Sequence, residues 1–172
     1  MAPLAITVLG HDRPGIIADV TAALALRDAN VEDSSMTLLR GHIAWTLVVG
    51  TDASVEDVAA DLSFLEGDDL VVSVLPVTDE QVESKAEMQS FVISVHGADR
   101  VGIVAAITGA IASYGGNITD LQTRLGGGLY VVVAEADFPS YADAAKLTAA
   151  LTAVGETVGV DVTVKPTDTD VL

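Results

Sequence analysis

Residues 10–16 read GHDRPGI, and residues 97–103 read GADRVGI. The same glycine-bracketed Asp–Arg stretch thus occurs twice, 87 positions apart. At that offset, with no gap, further identities fall at Ala18/Ala105, Thr21/Thr108, Ala23/Ala110, Ala25/Ala112, Asn30/Asn117, Asp33/Asp120 and Gly41/Gly128. Two units of this length are too few and too long for a solenoid, so the chain reads as a tandem duplication of one folding unit.

Outward from the two stretches, each copy runs through the same succession of periods. LAITVLG and FVISVHG alternate, Ile6 and Val8 matching Ile93 and Val95, as a strand with one buried face does. A helical stripe follows: Ile16, Ile17, Val20 and Leu24, then Ile103, Val104, Ile107 and Ile111 in the second copy. DAN and YGGN close these helices, because Asn and Gly tolerate a left-handed turn. VEDSSMTLLR and HIAWTLVVG form a hairpin around Gly41, matched by ITDLQTRLG and LYVVVAEA around Gly126–Gly128. Trp45, between Ala44 and Thr46 in such a strand, belongs to a core or an interface rather than a stacking platform. Ser54 caps a second helix, and PSYADAAKLTAALTAVG is its counterpart, ending at Gly155. LVVSVLPV and TVGVDVTVKP close the units.

The order is βαββαβ twice, which predicts an α+β chain of two ferredoxin-like antiparallel sheets with their helices on one face. Residues 1–77 and 91–166 are the expected domains, 78–90 a polar linker and 167–172 an acidic tail. Free sheet edges invite pairing, so the two sheets are expected to join into one of eight strands. The apolar hairpin strands point to further self-association as a homodimer.

Composition bounds the function. The 172 residues carry a net charge of −17, which repels phosphate backbones and argues against direct nucleic-acid binding and against anionic lipid. No apolar run reaches the roughly 18–20 residues needed to span a bilayer, and the N-terminus lacks the basic and small-residue features of a signal peptide. With no cysteine, disulfides and thiolate metal sites are excluded, and a cytoplasmic location is expected.

The repeated stretch joins a strand end to a helix start. Pro14 suits the first helical position and pushes Arg13 into an extended conformation. Gly15 leaves the helix mouth without a side chain, so a small anion or carboxylate can approach backbone N–H groups there. Asp12 and Asp99 can cap the helix or accept from a ligand ammonium group. On the other side, turns rich in Gly, Pro and Asp are commonly turns alone, Asn30 and Asn117 can be simple helix stops, and duplication copies either kind.

Catalytic and metal patterns are absent. His11, His42 and His96 have no metal-ligand spacing, and neither a GxSxG elbow nor a P-loop occurs. GGGL at 126–129 connects two strands and opens no helix. DTDVL at 168–172 looks like an aspartyl-phosphatase nucleophile motif, but that motif must follow a buried strand and needs a further large domain, so a disordered acidic tail is expected here.

DRPGI after a strand, an apolar helix, then Asn followed by Val or Ile opening the next strand, resembles the ACT domain, a small-molecule-sensing module of amino-acid metabolism. DRVGI and GGNI give the second copy the same pattern, so the resemblance covers residues 3–77 and 90–166. It extends to free-standing paired-ACT regulators of the glycine-cleavage-repressor type. The resemblance implies an amino-acid site between paired domains, contributed by the strand-to-helix turn of one and the start of the second strand of another. It implicates His11, Asp12, Arg13, Pro14, Gly15 and Ile16 with Asn30 and Val31. In the second copy the matching positions are Ala98, Asp99, Arg100, Val101, Gly102 and Ile103 with Asn117 and Ile118. Val101 replaces the proline, so the second site is expected to be the weaker. The implied function is a non-catalytic regulator without cofactor or metal, binding glycine or serine and acting through a partner protein. The alternatives are a ligand-free interaction module whose acidic surface docks a basic partner, and a regulatory portion related to ACT-containing phosphoserine phosphatases.

Overall fold

A computed structural model describes residues 2–67, 69–77 and 88–167. The chain divides into two compact units, Met1–Gln81 and Val82–Leu172. The first contains β1 (Ala2–His11), α1 (Ile16–Ala25), β2 (Asn30–Leu39), β3 (His42–Thr51), α2 (Val55–Leu62) with a 3-10 turn at Ser63–Leu65, and β4 (Leu70–Pro76). The second contains β5 (Met88–Ala98), α3 (Ile103–Ser113), β6 (Asn117–Gly126), β7 (Leu129–Pro139), α4 (Ala144–Val158) and β8 (Val160–Pro166). Each unit is a four-stranded antiparallel sheet, in the orders β2-β3-β1-β4 and β6-β7-β5-β8. The βαββαβ reading holds in both copies.

Local chemistry explains the turns. Arg40 and Gly41 (φ +50° and +81°) make the two-residue link between β2 and β3, and Gly127 and Gly128 (φ +61° and +81°) make that between β6 and β7. Positive φ at both central residues is the type I′ geometry, whose twist matches that of the flanking strands. One extra residue bulges β2 between Val31 and Asp33, and β6 bulges at the equivalent place between Ile118 and Asp120.

Alternation along β1 and β5 sorts core from surface. Leu4, Ile6 and Val8 are buried with Ile16, Val20 and Leu24 of α1 and with Trp45 of β3, so Trp45 is a core residue. Phe91, Ile93 and Val95 are buried with Ile103, Ile107 and Ile111 of α3, and Phe91 meets Phe138 edge-on at 5.7 Å between ring centres. Ile17, placed in the helical stripe by its spacing, is exposed, because one residue beyond Ile16 has turned about 100° away from the core. β2 is exposed along its whole length and β6 along nearly all of it, since both form the sheet edge beyond the helices.

Four local expectations need correction. The left-handed residue after α1 is Asp28 (φ +49°), not Asn30, which already belongs to β2; after α3 it is Gly115 (φ +74°). α4 passes through Gly155 and stops at Val158, with Gly159 (φ +75°) as its left-handed cap. Gly155 is there for packing: a Cβ on it would lie 2.5 Å from Val162 Cγ2 and 2.8 Å from the Val160 carbonyl oxygen. β5 begins at Met88, inside the stretch read as linker. Gln89 is tied down there by donating to the carbonyls of Pro139 (3.2 Å) and Ala142 (2.6 Å), and a polar side chain does not reveal that its backbone is in a ladder. The rest of that stretch, 78–87, and the DTDVL segment lie outside the described residues. The fourth correction, at Pro14, concerns the turn described next.

Candidate functional site

Gly10, near the end of β1, lies against the incoming end of β4. A Cβ on it would collide with the Asp69 carbonyl oxygen and lie 2.7 Å from Leu70 Cα. Gly97 faces β8 similarly, its Cβ position being 2.6 Å from Val160 Cγ1. The first glycine of each repeated stretch is therefore a packing requirement of the sheet. After β1 the His11 N–H donates to Asp69 O (2.7 Å) and the Asp12 N–H to Gly41 O (2.8 Å), fixing the turn against two neighbouring loops. His11 and His42 meet edge-on at 5.4 Å between ring centres, and both are exposed.

The second glycine sets the helix mouth. Gly15 (φ +98°, ψ −13°) is the N-cap of α1, and Gly102 (φ +95°, ψ −6°) that of α3. Pro14 thus precedes the cap instead of opening the helix, because only glycine takes this φ at no steric cost. Neither helix has a side-chain cap, so Asp12 and Asp99 do not serve as caps. The contrast inside the molecule is plain: Ser54 accepts from the Asp57 N–H at α2, and Asp143 accepts from the Ala145 and Lys146 N–H groups at α4. At α1 and α3 the first-turn N–H groups have no side-chain acceptor, and the positive end of a helix dipole favours an anion.

A cavity of about 570 Å³ opens at the first turn, lined among others by Asp12, Arg13, Pro14, Gly15, Met36 and Ile43. Arg13 Nη1 lies 3.3 Å from Asp19 Oδ2, with both side chains roughly half exposed. That pair offsets the acid which α1 carries in its first turn. Solvent screening leaves such a surface pair worth about 0–1 kcal/mol.

The structure brings Asp12, Arg13, Pro14, Gly15 and Ile16 together and sets His11 at their edge. Ile16 and Ile103 are committed to the hydrophobic cores, at 1% exposure each. Asn30 and Val31 are not at this cavity. Asn30 pairs with Gly50 and Val31 with Val49, whereas His11 pairs with His42, eight residues back along β3. At a rise of about 3.3 Å per residue the two groups lie some 26 Å apart within one unit. Asn117 and Ile118 stand likewise at the far end of β6, opposite Asp137 and Ala136, and Ile118 packs on the second core. In the second turn Val101 is fully exposed, and Arg100 lies over Gly159, where a Cβ would meet its guanidinium. That places the cation at the C-terminal, negative end of α4.

Met36, Ile43 and Asp19 escaped sequence reading. Met36 lies opposite Trp45 on the helix side of the sheet. The alternation of Ser34, Met36 and Leu38 was the signal, obscured by the acids before it. Among the described residues no three His, Asp or Glu side chains converge to hold a metal ion, and no helix is long and apolar enough to cross a membrane.

Comparison with known proteins supports both copies. The ACT-domain family model matches residues 2–71 and 89–165. The UPF0237 protein of Methanosarcina mazei is 40% identical over 79 residues, covering 45% of this chain and 86% of its own, and that of Methanopyrus kandleri is 38% identical over 78 residues, covering 44% and 86%. An unknown protein from Galdieria sulphuraria superposes with a TM-score of 0.82 at 28% identity, over 96% of this chain and 98% of the other. A crystal structure described as a candidate glycine cleavage system transcriptional repressor has a TM-score of 0.73 at 17% identity, over 96% and 97%, and shares the fold. With both copies matched over most of their length, the chain belongs to the ACT-domain family.

Proposed function

We propose that this protein is a non-catalytic regulator that binds a small amino acid at the β1–α1 turn and acts through a partner protein. The observation that carries the reading is the cavity at that turn: an uncapped helix mouth for the ligand carboxylate, with the Asp12 carboxylate beside it for the ammonium group. Asn30 and Val31 lie too far along β2 to complete this site from the same unit. They take part when the start of β2 comes from another ACT unit, which couples ligand binding to association. Glycine and serine are the first candidates, from the family resemblance and from the candidate glycine cleavage system repressor that shares the fold. The first turn is the stronger site, and Asp99, Arg100, Gly102, Asn117 and Ile118 form the weaker equivalent. A homodimer in the cytoplasm belongs to the same reading.

Thermal denaturation against each amino acid at millimolar concentration tests it. Glycine or serine raises the melting temperature of the wild type, and Asp12→Asn removes the rise while leaving the unliganded melting temperature in place. Asp12 suits this test because its side chain is exposed and does not cap the helix. Gly15→Asp also abolishes the shift, but at φ +98° it strains the backbone as well. Absence of a shift with every amino acid overturns the proposal and favours the ligand-free interaction module.

A further inference from the structure

The helix layers of the two units differ where their folds do not require it. In the first unit a groove of about 520 Å³ runs between α1 and α2, floored by Ala22 and Ala23 and walled by Leu26 and Phe64. Leu26 is 86% exposed and Phe64 62%, although both are large and apolar. Arg27 bridges the two helices at one end, its Nε and Nη2 donating to Asp61 at 2.5 and 3.1 Å, with Asp57 at 4.0 Å from Nη1.

The second unit supplies an internal comparison. Alignment of the buried positions Val58 and Leu62 with Leu147 and Leu151 sets α4 against α2. Ser113 then stands for Leu26, Ala153 for Phe64, Ala150 for Asp61, Lys146 for Asp57 and Ala106 for Asp19. A fold that forms with Ser and Ala at these positions does not need Leu and Phe there. In the first unit the apolar walls occur together with a rim of three acids, Asp19, Asp57 and Asp61, set against two cations, Arg13 and Arg27, and they do so on a chain of net charge −17. An exposed apolar patch with a polar rim is the anatomy of a docking site, and the net negative charge of the chain favours a basic partner.

We propose that the α1–α2 groove of the first unit docks a basic amphipathic helix of a partner protein, its apolar stripe seated between Leu26 and Phe64 and its cations facing Asp19, Asp57 and Asp61. A helix lying in a groove presents anchors at i, i+3 or i+4 and i+7. Leu26 and Phe64 are the anchors on this side, and the acids set register and association rate. This surface adjoins the turn proposed to bind an amino acid through Asp19, which pairs with Arg13 there, but neither wall residue belongs to that turn.

The test uses the full chain and two synthetic 18-residue helical peptides with leucine at i, i+4, i+7 and i+11, one filled out with lysine and alanine, the other with glutamate and alanine. Fluorescence anisotropy of the lysine peptide gives binding that weakens at least tenfold between 0.05 and 0.5 M salt. The double variant Leu26→Ser/Phe64→Ala, which installs the second unit's own residues, weakens it at least tenfold more at fixed salt. Its circular dichroism and melting temperature match the wild type, since both side chains are exposed. The glutamate peptide does not bind. Failure of the lysine peptide to bind overturns the proposal, as does equal binding by wild type and double variant, which is adsorption to acidic surface. A change in oligomeric state of the double variant by light scattering overturns it too, since the groove is then an interface between copies of this chain.

Discussion

At the residue scale, the two glycines of GHDRPGI do different work. A methyl group on Gly10 runs into the backbone carbonyl of Asp69, which cannot move without breaking the bond it accepts from His11 N–H. A methyl group on Gly15 meets nothing nearer than Asp19 Oδ2 at 3.9 Å, and the obstacle is φ of +98° alone. Gly10→Ala is therefore expected to cost about 3 kcal/mol, near the upper range for a rigid overpacked site. Gly15→Ala is expected to cost about 1–2 kcal/mol, the strain of a left-handed non-glycine residue. Urea denaturation of the two variants checks both values, and a larger loss at Gly15 contradicts the assignment. The repetition of the glycines was legible in the sequence. Their separate reasons were not, because the close approach of β4 to Gly10 depends on residues nearly 60 positions away.

At the element scale, the helices fall into two kinds. α2 and α4 have side-chain caps that satisfy their first N–H groups. Ser54→Ala is expected to destabilise the first unit by about 1 kcal/mol, the usual value of an N-cap hydroxyl, measured as a shift of the urea midpoint. Asp143 sits below the ordinary carboxylate range because it accepts from the Lys146 and Ala145 N–H groups, and Asp61 does so because Arg27 hydrogen-bonds to it. A carboxyl lowered in the folded state contributes stability above its unfolded pKa and loses it as the pH falls through the folded value. The urea midpoints of wild type and Asp61→Asn/Asp143→Asn are expected to differ by a constant amount from pH 7 to 5. That gap begins to close at about pH 4, where the unfolded carboxyls take up protons, and closes fully only below the lowered folded values. A gap that already closes between pH 7 and 5 contradicts the assigned pairings. Ser54 was legible as a cap from the acids that follow it. The end of α4 was not, because Gly155 looks like a stop until Val160 and Val162 are seen pressed against it.

At the scale of the whole molecule, each unit has its own core, and among the described residues no buried residue belongs to both clusters. Trp45, the sole tryptophan, reports on the first core alone. Phe138 anchors the second, fully buried against Phe91 and against the position of Gly116. Phe138→Ala is expected to cost about 3–5 kcal/mol, by lost burial and the cavity left behind. The loss should appear in the far-ultraviolet circular dichroism transition and much less in the Trp45 emission transition, since separate cores unfold as separate cooperative units. Equal displacement of the two transitions contradicts that separation. The two folds were legible because strand alternation and the Ile16–Leu24 and Ile103–Ile111 stripes are properties of consecutive residues.

The sequence by itself determined the duplicated βαββαβ order, the faces that are buried, the hairpin turns and the equivalence of the two Asp–Arg stretches. All of these follow from local periodicity and from residues at short spacing. Tertiary structure alone decided which members of the candidate site meet. It set Asn30 at the opposite end of the sheet from Gly15, put Met36 and Asp19 beside the turn, and drew Arg100 toward the end of α4. The physical reason is register: one strand pairing places residues eight positions apart at opposite ends of a sheet, and no spacing along the chain records that distance.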